Sequence, residues 1–151
     1  MSRRDKIRLS EFEIRAFLLE SKTLTIVSNG PRGFPHPMPM WFALDDDLSV
    51  RITTYAKSQK VRNIERDPRV SVLVESGEAY EELKGVVLYG HAELIRDVEQ
   101  VIDTLVDINR FDRADPQVRE GMQGNAAKRV LIRVRPERIV SWDHSKLGGV
   151  Y

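Results

Sequence analysis

The sequence predicts a mainly β domain: an antiparallel barrel of six to seven strands with three or four helices at its periphery. Three observations carry this. Short runs rich in β-branched residues follow one another through hairpin-like turns. Several of those runs alternate apolar and polar residues, while helical periodicity is confined to a few segments. Finally, there is no regular strand–helix–strand repetition of the kind that builds a parallel sheet. Closing an antiparallel sheet on itself removes its exposed edges.

The elements follow in order. Ser10 and Glu13 have capping-box spacing, and Phe12, Ala16 and Leu19 with Ile14, Phe17 and Leu18 make an apolar face, so a helix is predicted over 11–20. Leu24–Ser28 is a strand, ended by the turn-forming Asn29-Gly30-Pro31-Arg32-Gly33. His36–Leu44 is a second strand, and Pro35, Pro37 and Pro39 place its first half on an edge or bulge. Asp45-Asp46-Asp47 turns the chain into a third strand, Leu48–Tyr55. Lys57–Arg66 enters a short helix that must end before Pro68. Val70–Glu75 and Gly85–Ile95 are strands separated by a polar, acidic loop, and Val98–Asn109 is a helix. Asp115 before Pro116 marks the start of another helix, running to about Ala126. Val130–Val134 alternates with Arg129, Arg133 and Arg135, Arg138–Trp142 is the last strand, and a Gly-containing tail runs from Asp143 to Tyr151.

With 151 residues the chain fits one domain, expected over 11–151 behind a flexible N-terminus, 1–10. A domain of this size does not easily enclose a large cofactor and keep a full core, which favours a site shared between subunits. The 24 basic and 23 acidic side chains give a net charge of +1, against the marked basic excess of a nucleic-acid or membrane binder. The absence of cysteine excludes disulfides, thiolate metal sites and cysteine nucleophiles. Arg3, Arg4, Lys6 and Arg8 are followed by no apolar signal core, and no apolar run reaches bilayer thickness, so a cytoplasmic location is expected.

Chemistry concentrates after the third strand. Lys57, Lys60, Arg62, Arg66 and Arg69 face only Glu65 and Asp67 in sequence, and the first basic residues come with Ser58 and Gln59 where a strand gives way to a helix. Helix N-terminal N–H groups, a hydroxyl and ammonium groups converging on one point suit a phosphate. A lone cluster of this kind is more often a solvated, charged loop capping a helix.

The run Ile52-Thr-Thr-Tyr-Ala-Lys-Ser-Gln-Lys-Val-Arg-Asn-Ile, followed by Arg66-Asp-Pro-Arg-Val-Ser-Val, resembles the signature of the pyridoxamine 5'-phosphate oxidase-like flavin and deazaflavin oxidoreductases. It is most similar to the branch that uses the deazaflavin coenzyme F-420. Gly33-Phe34-Pro35-His36, Pro39-Met40-Trp41-Phe42, Gly90-His91-Ala92 and Ser141-Trp-Asp-His-Ser-Lys-Leu-Gly-Gly agree in the same order, so the likeness spans about 11–151. It implies a split β-barrel of the FMN-binding type and a homodimer with cofactor at the interface. It further implies that Lys57, Ser58, Gln59 and Lys60 hold the cofactor phosphate, and that Thr53 and Thr54 face the ribityl chain. Pro39, Met40 and Trp41 would flank the ring, with Lys57, Lys60 and Arg62 supplying charge for an acidic tail. Coenzyme F-420 is the expected cofactor and FMN the alternative. The expected reaction is hydride transfer to a conjugated acceptor such as an enone, quinone or tetrapyrrole; an FMN oxidoreductase and a non-catalytic carrier or storage protein are the alternatives.

Other features have plainer readings. His36, His91 and His144 lack metal-site spacing, and no protein acid or base is assigned. His91 reads as an inward or interface position on a strand, His36 as a turn residue, and His144 as a tail contact or a residue at the substrate mouth. Gly30–Gly33 is a turn and not a phosphate loop; Trp41 is equally a core aromatic; Glu78–Glu82 is a solvated connector or a lid. The chain's end lacks the substrate-binding pattern that the resemblance would require for vitamin B6 oxidation.

Overall fold

The computed structural model describes residues 1–150; Tyr151 lies outside the described residues. Its strands are β1 (Thr23–Asn29), β2 (Pro35–Trp41), β3 (Ala43–Leu44), β4 (Val50–Tyr55), β5 (Arg69–Ser76), β6 (Lys84–Ile95), β7 (Arg129–Val134) and β8 (Arg138–Asp143). The helices are α1 (Arg3–Lys6), α2 (Glu11–Glu20), α3 (Gln59–Arg66), α4 (Val98–Ile108) and α5 (Pro116–Ala126), with 3₁₀ turns at Tyr80–Glu82 and His144–Leu147. All strand pairs are antiparallel, in the order β2-β1-β5-β6-β7-β4-β3, and β8 pairs with β6. This is the split barrel the sequence predicts.

The elements differ from expectation at four places. The run read as one strand, His36–Leu44, is split at Phe42, whose side chain is buried and whose N–H donates to Lys22 O. There the chain leaves β1 and crosses to β4, so eight strands form. The next strand starts at Val50 and not at Leu48, because Leu48 adopts φ 66° in a turn closed by Asp45 N–H to Ser49 O. Residues 1–10, expected as a flexible extension, carry the one-turn helix α1, and Leu9 is buried. His36 lies in β2 opposite Ser28, within a strand and not in the turn.

β6 belongs to both halves of the barrel. Its residues 84–89 pair with β8 and its residues 92–95 with β7. The switch falls at Gly90, where a Cβ would meet Arg135 O at 2.4 Å. Inward residues of β1, β5, β6, β4 and β7 pack with Ile14, Phe17 and Leu18 of α2 and Ile64 of α3 as the barrel core. A second cluster joins Val101, Ile102, Leu105 and Val106 of α4 to Ala126 and Leu131. Burying each such aliphatic side chain contributes roughly 1.5–3 kcal/mol.

The α4–α5 hairpin is also fixed electrostatically. Arg51, buried on β4, donates to Asp45 Oδ1 at 2.8 Å, Thr104 Oγ1 at 2.9 Å and Asp107 Oδ2 at 2.5 Å. Arg113 closes on Asp107 from outside. On the opposite side of the sheet, Pro39, Thr25, Leu73, Val87 and Val140 are direct neighbours in one row across five strands. That row is half-buried to exposed.

Candidate functional site

The end of β2 and the middle of β4 meet the α4–α5 hairpin in one open cleft of about 480 Å3. Pro39, Met40 and Trp41 form one side, Thr53 and Arg129 the floor, and Leu105, Ile108 and Asn109 the helical wall. Trp41 is 53% exposed, and Lys22 Nζ sits 4.1 Å from its ring centroid. An exposed tryptophan held by a cation is a prepared platform for a flat ligand.

Beside the cleft is the corner where β4 gives way to α3. Ser58 occupies the N-cap of α3, yet its side chain makes no capping bond, and the first turn contains no acidic residue. Its hydroxyl oxygen lies 3.4 Å from Thr54 Oγ1. Lys60 is 7% exposed, and among the described residues no carboxylate lies within ion-pair distance of it. Burial, and then the charge of Arg129, pull its pKa below the usual lysine value. A buried ammonium beside a guanidinium, with no counter-charge, is unfavourable until an anion enters.

Arg129 links the two regions. Its Nε donates to Asn125 Oδ1 at 2.6 Å, and its guanidinium carbon lies 4.5 Å from the Tyr55 ring centroid. It lines the cleft and acts electrostatically on Lys60.

The structure therefore brings Pro39, Met40, Trp41 and Thr53 together in the cleft, and Thr54, Ser58 and Lys60 at the corner beside it. Lys57, Gln59 and Arg62 lie on the exposed rim, and Gln59 spends its amide on Asn63 Oδ1 at 2.8 Å. None of the histidines lines the cleft. His91 pairs with Glu137 at 2.5 Å, and His144 packs against Tyr80 with the rings tilted by 52° and centroids 4.5 Å apart. Arg129, Asn125 and the α4 residues were not singled out from the sequence as site residues. Arg129 was visible only as the charged head of an alternating strand; its place opposite Tyr55 comes from the β4–β7 register.

A model of the pyridoxamine 5'-phosphate oxidase family matches residues 10–143. The chain belongs to that family. No curated protein sequence matches it. Among solved structures, the conserved hypothetical protein Rv2991 from Mycobacterium tuberculosis is 37% identical with a TM-score of 0.90, covering 100% of this chain and 95% of that one. A structure described as an F420 reductase is 26% identical with a TM-score of 0.62, over 83% of this chain and 94% of that one. HutZ, described as a haem storage protein from Vibrio cholerae, is 24% identical with a TM-score of 0.67, over 89% and 97%, and shares the fold. The family is thus one of oxidoreductase-like, flavin- and deazaflavin-binding folds.

Proposed function

We propose that the chain is a deazaflavin-dependent oxidoreductase that passes hydride from reduced coenzyme F-420 to a conjugated small-molecule acceptor such as an enone, quinone or tetrapyrrole. The observation that carries this reading is Lys60, a buried cation facing Arg129 without a carboxylate, at a helix N-terminus beside a cleft of ligand size. The likeness to the F420 reductase supports the deazaflavin over FMN.

The cofactor supplies the hydride chemistry when bound. In this reading Trp41, steadied by Lys22, and Met40 and Pro39 hold the ring, and Thr53 meets its side chain. Lys60, Arg129, Ser58 and Thr54 take the phosphate, while Gln59 borders it. Lys57 and Arg62, exposed beyond the corner, suit the carboxylates of an acidic tail. Leu105 and Ile108 keep water from one side of the cleft. Among the described residues its lining contains no Asp, Glu or His, which supports solvent, ahead of Tyr55 or a histidine at the mouth, as the source of the substrate proton.

The protein acts as a homodimer, with the half-exposed row Pro39, Thr25, Leu73 and Val87 as the surface on which a second copy packs. That row ends at the cleft through Pro39, which supports a cofactor shared between subunits.

Side-by-side fluorescence or absorbance titration of the apo-protein with coenzyme F-420 and FMN tests the assignment. Tighter F-420 binding is expected, followed by oxidation of the reduced coenzyme with an enone or quinone. Tighter FMN binding makes it a flavin enzyme, and tight F-420 binding without turnover makes it a carrier.

A further inference from the structure

A second groove, of about 430 Å3, lies between the N-terminal arm and β8 and shares no lining residue with the cleft. Arg4, Arg8 and Arg138 stand around it, over Leu9, Ile14 and Val140. No Asp or Glu lines it.

The arm has an evident structural task. β8 pairs with β6 alone, and residues 7–9 run along its other side. Asp143 N–H donates to Ile7 O at 2.7 Å, Leu9 N–H to Ser141 Oγ at 3.1 Å, and Lys146 Nζ to Arg8 O at 3.0 Å. Covering an edge this way needs main-chain groups and the buried Leu9, and no cation. Yet the first ten residues hold Arg3, Arg4, Lys6 and Arg8 against the one carboxylate of Asp5, in a chain whose totals are nearly balanced at 24 basic to 23 acidic residues.

That carboxylate is already engaged by the Ser2 hydroxyl at 2.7 Å and by Arg8 at 3.5 Å. Among the described residues, Arg4 and Arg138 have no carboxylate within ion-pair distance, and Arg138 rests 5.3 Å from the Tyr89 ring centroid. The fastened arm therefore places guanidinium groups at the rim of an apolar-floored groove. Planar guanidinium forks match carboxylate and sulfonate heads, and an apolar floor matches a hydrocarbon body.

We propose that this groove is a binding site for a small amphipathic anion, its head held by Arg4, Arg8 and Arg138 and its aliphatic or aromatic body lying on Leu9, Ile14 and Val140. The site is independent of cofactor identity, because none of these residues belongs to the cleft or to the α3 corner.

Calorimetric titration of the full chain with octanoate, and with octan-1-ol as the uncharged body, tests it. Octanoate should bind at one site and weaken as salt rises, with octanol at least about tenfold weaker. Arg4→Gln with Arg8→Gln should weaken octanoate about tenfold or more while leaving the ligand-free Tm unchanged. Arg138→Gln, on a different element, should give a loss in the same direction and covers the case in which the arm variant perturbs folding. Octanol binding as tightly as octanoate, wild-type octanoate affinity in the arginine variants, or no octanoate binding would each overturn the proposal. Coenzyme F-420 and FMN affinities of the same variants should be unchanged, so this result and that of the cofactor titration fail separately.

Discussion

Arg129 bears on Lys60 as a like charge, and neither has a carboxylate for company among the described residues. Arg129 is held in that position from three sides, by Asn125, by Thr53 O at 3.4 Å and by the Tyr55 ring. A fold that fixes two cations together stores an unfavourable interaction that an anion releases.

Removing one of the two charges should therefore stabilise the empty protein and disable it. Lys60→Met is expected to raise stability by roughly 1–2 kcal/mol in denaturant unfolding, since a buried unpaired ammonium is replaced by an isosteric apolar chain. The same variant should bind the phosphate-bearing cofactor about 10- to 100-fold more weakly. A destabilised variant with unchanged affinity would mean that Lys60 is only a packing residue.

Cofactor affinity should fall with rising pH. Lys60 has its pKa lowered by burial and by Arg129, and a bound phosphate restores the charged form and raises that pKa. Above the free protein's value binding takes up a proton, so affinity drops by up to about tenfold per pH unit. Below it Lys60 is charged in both states and this dependence vanishes. Titrations carried into the alkaline range should show the slope in the wild type and its loss in Lys60→Met.

Arg51 is expected to control the cleft from behind. Arg51→Met leaves Asp45 and Asp107 without their buried partner and should cost about 3 kcal/mol of stability. Because Asp107 lies on the same helix as Leu105 and Ile108, cofactor affinity should weaken as well, without loss of any contacting group. Unfolding curves paired with cofactor titrations separate the two effects.

Gly90→Ala should cost roughly 1–3 kcal/mol, because its Cβ meets a main-chain oxygen that cannot rotate away. Thermal unfolding measures it; a neutral variant would show that β6 can shift at the switch between β8 and β7.

At the acid end, Lys146, and then the Ser10 N–H, hold Glu13 at a pKa of about 2 against its ordinary 4.5. A depressed carboxyl contributes stability that is present above its unfolded value and lost as pH falls through the folded one. Glu13→Gln should remove that part of the acid dependence, and Lys146→Met should return the Glu13 titration, followed by NMR, toward its ordinary position.

Much of the architecture was legible because its signals are local. Ser10 and Glu13 do form the capping box of α2, Asp115-Pro116 opens α5, and the prolines put β2 at the sheet's edge. The break at Phe42 was not legible, since an apolar residue inside an apolar run gives no hint that the chain changes partners there. Within the site, Thr53-Thr54 and Lys57–Lys60 stand out as a run, but Arg129 is separated from Lys60 by nearly half of the chain and reaches it only through the β4–β7 pairing. Leu105 and Ile108 look like ordinary helix residues, and only docking of the hairpin makes them a wall.

The alternating prolines of β2 have one more effect. Pro35, Pro37 and Pro39 fall on every second residue of an edge strand, so the ladder with β1 uses the intervening N–H groups, and the outward row has no donors at those three positions. An incoming strand would find acceptors and no complementary hydrogens, so this border cannot template sheet growth. Self-association is thereby diverted away from the border, and the molecule carries its own guard against fibril formation beside its most exposed tryptophan.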